Sequence, residues 1–198
     1  MNQSQKIITF FIAAVGLLVL PLILQSFGNA WVRIADMALL FVLLSLGLNI
    51  VVGYAGLLDL GYVAFFAIGA YMFGLASSPH LTDTFESLAA AYPQGLHMSI
   101  WIVVPLGAAL AGFFGVLLGA PTLRLRGDYL AIVTLGFGEI IRVFMNNLDQ
   151  PINITNGPKG ISQIDSLQIF GLNLGKKISV GGLELASVSL YYYLFLFL

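Results

Sequence analysis

Cysteine is absent from the 198 residues, which excludes disulfides, thiolate metal sites and a cysteine nucleophile, and leaves the redox compartment open. Charge is scarce. Lys and Arg number 8 and Asp and Glu 9, together 9% of the chain, against about 25% in soluble domains. A formal net charge of −1 gives no polyelectrolyte footprint, so nucleic acid is not an expected partner. The two histidines, His80 and His97, share one polar connection and are too few for a metal site, so they read as solvated bystanders. A complete phosphate-binding loop is also missing. Gly171-Leu172-Asn173-Leu174-Gly175-Lys176-Lys177 has one residue too few between its glycines, and a lysine where Ser or Thr should hold magnesium. No apolar run contains a histidine, and no cluster has nucleophile spacing, so enzymatic chemistry is not expected.

Hydrocarbon is what the chain has. At 59% hydrophobic with a mean hydropathy of +0.97, it reads as an all-α polytopic membrane protein, a transmembrane helix bundle held by helix–helix packing in lipid. Apolar runs predict spans near residues 7–24, 34–52, 61–76, 99–120 and 129–147, with a last run at 188–198 too short to cross. Together they read as a single transmembrane domain over residues 1–198. The first run also admits a signal-peptide reading, with Gly28-Asn29-Ala30 as the cleavage site, although it is longer than the usual h-region. Arg33 and Asp36 stand one turn apart and are expected to pair at the interface. Placing the N-terminus in the cytoplasm puts Lys6, Arg124 and Arg126 inside but Arg33, Lys159, Lys176 and Lys177 outside. The compact loop with Arg124 and Arg126 decides for that orientation, because the rule applies best to short loops.

Residues 45–72 organise the rest. This apolar stretch carries Asn49, Asp59 and the glycines Gly47, Gly53, Gly56, Gly61 and Gly69, which predicts a short or discontinuous helix around residues 53–76. Glycine-interrupted hydrophobic segments point to binding sites in transporters, since irregular backbone at membrane depth must be buried in protein or line a water-filled cavity. Asn49, Gly53, Gly56, Asp59 and Gly61 are therefore candidate lining of a substrate path. The helix resuming near Gly61 would aim its free N–H groups at a substrate carboxylate, or Asp59 would cap them. Glu139 and Arg142, at i and i+3 in the fifth run, are the other candidates, either as a polar contact on the path or as an ion pair locking helices. Gly107, Ala111, Gly115 and Gly119 form a small-residue stripe expected to pack against another helix. Turn chemistry marks the segment 148–186, at Asp149-Gln150-Pro151, Asn156-Gly157-Pro158 and Gly181-Gly182. Its Asn153-Ile154-Thr155 sequon matters only in a secretory pathway.

Three blocks, GLNIVVGYAGLLDLGYVAFFAIGAY at 47–71, PTLRLRGDYLAIVTLGFGEIIR at 121–142 and NGPKGIS at 156–162, resemble in order and spacing the LivM-type permeases of bacterial branched-chain amino acid ABC importers. The resemblance implies a bacterial inner-membrane protein that passes leucine, isoleucine or valine and has no cofactor of its own. ATP-Mg would be bound by two partner ATPase subunits. It also implies a related LivH-type permease and a periplasmic substrate-binding protein as partners. Permeases for urea and short amides share much of the pattern. An ion-coupled secondary transporter and a truncated, inactive fragment are the remaining alternatives. Two departures stand out. Residues 155–161 read TNGPKGI where the family is closer to TGGPNGI, and the family's later cytoplasmic loop, which docks on the ATPase, has no counterpart, so the C-terminal part of the family fold is expected to be missing.

Overall fold

The structure, a computed structural model, describes the chain apart from residues 1, 2, 123, 124, 126, 170, 181 and 182, and apart from the side chains of residues 4, 180 and 183. Arg124, Arg126 and the Gly181-Gly182 turn therefore lie outside the described residues. The chain is helical nearly throughout: α1 (Gln3–Phe27), α2 (Asn29–Ile50) continued by a π-helical turn (Val51–Ala55), α3 (Tyr62–Ala76), α4 (His80–Thr84), α5 (Glu86–Ala91), α6 (Ile100–Thr122), α7 (Asp128–Asn147) and α8 (Ser187–Phe197). Two small two-stranded pairs, β1 (Gln168–Ile169) with β2 (Leu172–Asn173) and β3 (Ile178–Val180) with β4 (Leu183–Leu185), precede α8. Among the described residues three helical stretches, Gln5–Phe27, Asn29–Ala55 and Ile100–Thr122, are long and apolar enough to cross a membrane. This is the all-α polytopic architecture expected, including the short helix after a glycine-rich break.

Two compact units divide the chain, one of residues 1–45 and 169–198, the other of residues 46–168. In the first, α1 carries Pro21 inside the helix. Proline has no N–H, so the carbonyl of Leu17, four residues back, loses its helical donor. The Tyr192 hydroxyl of α8 donates to that carbonyl at 3.1 Å, and Tyr193 donates to the Leu18 carbonyl at 2.9 Å. Farther along α1, Ser189 donates to Gln25 Oε1 at 3.0 Å, while Gln25 Nε2 donates to the Glu184 carbonyl at 2.9 Å. Pro21, Ser189 and Tyr192 are all fully buried, as a seam with no water to satisfy its polar groups requires. The expected Arg33–Asp36 pair does not form. Arg33 is exposed, and Asp36 Oδ1 is buried without a partner. At i and i+3 the two could meet, but the helix turns the shorter carboxylate inward, and the longer cation reaches solvent more cheaply than it reaches Asp36.

In the second unit α3 packs chiefly on α6 and also on α7. The small-residue stripe of α6 lies along this seam. A Cβ at Gly107 would sit 3.7 Å from Met72 Cγ and one at Gly115 3.8 Å from Phe65 Cε1, both on α3, whereas Gly119 has open space. Past α3 the connection 77–98 and the segment after α7 fold onto each other. Asp165 N–H donates to the Ser77 carbonyl at 2.8 Å, Thr84 Oγ1 donates to the Asn153 carbonyl at 3.0 Å, and Ile161 packs on Gly74. The reading of the histidines as bystanders is corrected here. His97 bonds to Asp165, and His80 Nε2 is buried. Asp165 lies in a segment 68 residues along the chain from His97, which spacing alone does not reveal.

Candidate functional site: a broken helix pinned to α7

The chain leaves helix at Gly56, whose φ of +65° is in the left-handed region that costs an L residue about 1–2 kcal/mol. Residues 57–61 run without regular structure before α3 starts at Tyr62. Two side chains hold this break. Asp59 Oδ1 accepts the Gly61 N–H at 2.8 Å, two residues on, and Thr134 Oγ1 of α7 accepts the Leu60 N–H at 3.0 Å. Thr134 is buried and completes its own bonding by donating to the Ala131 carbonyl at 3.2 Å. Gly61 lies so close to α7 that a Cβ there would stand 2.7 Å from the Thr134 carbonyl oxygen. Gly138, one turn along α7, faces Gly61 and the Leu60 carbonyl. The break is thus a built crossing of two backbones.

Clefts open on either side of this crossing. One, barely larger than a water molecule, is lined by Asp59, Gly61, Thr122 and Thr134 among others. The other is a groove of about 350 Å³ between α3 and α7. Its wall is apolar along Leu60, Val63, Ala64 and Ala67, and its far rim carries Glu139, Arg142 and Asn146. Arg142 grips Glu139 with two bonds, Nε to Oε2 at 2.9 Å and Nη2 to Oε1 at 2.6 Å. Both side chains are more than half exposed, and the pair lies within α7 rather than between helices.

Of the residues singled out from sequence, the structure brings Gly61 and Asp59 together at the crossing and places Glu139 and Arg142 on the groove beside it. Asn49, Gly53 and Gly56 line neither cleft. Asp59 does not bond the first turn of α3, as a helix cap would. It takes the N–H of Gly61, just ahead of the helix. Thr134, Leu60 and Gly138 were missed. Thr134 left a faint signal as a lone hydroxyl inside an apolar run, but nothing in the sequence names a partner 74 residues away. Among the described residues no group of three or more His, Asp or Glu side chains could hold a metal ion.

These features define a class: a multi-helix membrane protein whose interior is organised around a broken helix and a polar-rimmed groove. The family model described as "Branched-chain amino acid transport system / permease component" matches residues 30–198, and the chain belongs to that family. It is 46% identical over 151 residues to the high-affinity branched-chain amino acid transport system permease protein LivM of Salmonella typhimurium, covering 76% of this chain and 31% of that protein. The same figures hold for LivM of Escherichia coli. The match thus spans about a third of the length of these relatives. No solved structure matches the chain.

Proposed function

We propose that the chain is a transmembrane subunit of an ABC importer that passes branched-chain amino acids across a bacterial inner membrane, with its N-terminus in the cytoplasm. Its partners in this reading are a related LivH-type permease, two ATPase subunits that bind ATP-Mg, and a periplasmic substrate-binding protein. The chain itself performs no catalysis and carries no cofactor. One observation carries the reading: a glycine break pinned to α7 beside a groove that joins an apolar wall to a fixed Glu139–Arg142 pair. A charged pair exposed on a membrane helix is costly against lipid and belongs beside water or protein. An apolar wall with one anion and one cation at its rim also suits a zwitterion with an aliphatic side chain. We assign the groove to the substrate path, with Glu139 and Arg142 at its rim and Asp59 and Gly61 shaping its start. Asn49, Gly53 and Gly56, which line neither cleft, are assigned to the helical lead into the break. Gly107 and Gly115 are packing positions against α3, and Ala111 and Gly119 belong to the same small-residue stripe.

Arg142 bonds both Glu139 oxygens, so a coupling ion at Glu139 would have to share the carboxylate with a guanidinium, which counts against an ion-driven carrier. The test is uptake of labelled leucine by cells expressing the complete system with this chain as its LivM-type subunit. Uptake is expected to stop on ATP depletion and to survive an ionophore. The reverse pattern would refute the importer reading, and transport of urea in place of leucine would reassign the substrate.

A further inference from the structure

We propose that His97 and Asp165 form a proton-dependent tie that fastens the α3–α6 connection to the segment following α7. His97 Nδ1 lies 2.5 Å from Asp165 Oδ2, and its Nε2 lies 2.5 Å from the carbonyl oxygen of Gln94. A carboxylate and a carbonyl can only accept. A neutral imidazole has one N–H and satisfies one of them, whereas the imidazolium satisfies both. The bonding pattern therefore selects the charged ring. Asp165 also reaches the start of the same connection, because its N–H donates to the Ser77 carbonyl. One residue thus holds both ends of the 77–98 connection, beside the Met98 N–H to Ala76 carbonyl bond that closes its base.

The local backbone is arranged around the ring. His97 takes a φ of +41°, a left-handed conformation that a histidine holds at a cost, and this folds the ring back over Gly95. A Cβ at position 95 would stand 2.8 Å from Nε2, so any larger residue there would push the ring aside. Asp165 is the charged group that acts on His97, through its hydrogen bond first and its charge second. The other titratable groups of this cap are His80, Asp83, Glu86 and Tyr92 on the same connection, and Asp149 and Lys159 on residues 148–168 after α7.

The sign follows from the donor requirement. The hydrogen bond to Asp165, helped by the Gln94 carbonyl, raises the His97 pKa above its ordinary 6.5 against a small burial penalty. The tie is therefore at full strength below 6.5 and loosens as pH rises through the raised value. In the orientation proposed above, this cap faces the outside of the cell, so external pH would set how firmly the two connections are joined. The tie itself does not depend on what the protein carries.

Hydrogen exchange of the full chain in nanodiscs, corrected for intrinsic rates, tests the tie. Protection of the residue 165 amide and of residues 77–98 is expected to fall about fivefold as pH rises from about 6 to about 9, the worth of one charge-assisted bond at a half-exposed site. Asp165→Asn keeps the backbone bond to Ser77 and removes the charge. It should lower the His97 pKa, read from its ring ¹⁵N shifts, toward the ordinary 6.5, the Gln94 carbonyl bond remaining. His97→Gln should abolish the pH dependence of exchange. Protection that does not change with pH in the unsubstituted chain, a pH dependence that survives His97→Gln, or a His97 pKa unmoved by Asp165→Asn would each overturn the proposal.

Discussion

Gly61 has no space for a methyl group, because a Cβ there would meet the Thr134 carbonyl oxygen at 2.7 Å and backbone does not yield as a side chain does. Gly61→Ala is expected to destabilise the chain by about 1–3 kcal/mol, the range for overpacking, when thermal unfolding is followed in detergent. Gly136→Ala, on α7 and with nothing within 4 Å, should change stability little and serves as the control. Thr134→Val keeps the shape and leaves the Leu60 N–H without an acceptor. The cost of an unsatisfied buried donor is about 1–3 kcal/mol, and a loss under about 0.5 kcal/mol would show that the bond does not hold the break. At this scale the sequence was legible in part. Gly61 and Asp59 stood out because a carboxylate and glycines in an apolar run have no place in a plain anchor. Thr134 did not, since threonines are common in membrane helices and its acceptor role exists only once α3 crosses α7.

Elements were more legible than their contacts. The glycines of residues 53–61 and the apolar run after them announce α3, because chain length, glycine and hydropathy are local properties. The packing of the two polar connections against each other was hidden, since it rests on bonds such as His97–Asp165, 68 residues apart. The seam of α6 on α3 makes an element-scale prediction. Gly107→Leu drives a side chain into Met72 and should weaken the α3–α6 contact, whereas Gly112→Leu enters open space. Cross-linking between cysteines introduced on α3 and α6 should fall in the first variant and persist in the second; equal behaviour would mean the stripe does not pack there. In the other unit, Tyr192→Phe leaves the Leu17 carbonyl freed by Pro21 without its donor. The expected loss is about 1 kcal/mol, measurable as a lower midpoint of unfolding.

For the whole molecule, family membership is the finding, and the groove beside the broken helix supports the proposal of a subunit that offers a path while partners supply energy. Hydropathy announced the membrane, and motif blocks announced the family. The position of the groove needed three dimensions, because it depends on which face of α7 meets α3, whereas the Glu139–Arg142 pair lies within α7 and its i, i+3 spacing was legible in the sequence. The most direct test purifies the tagged chain with its sister permease and ATPase subunits, reconstitutes them in nanodiscs, and measures ATP hydrolysis with and without leucine-loaded binding protein. The account predicts a stable assembly whose hydrolysis rises when the loaded binding protein is added. A chain that assembles with neither partner, or an assembly whose hydrolysis ignores the loaded binding protein, would contradict it.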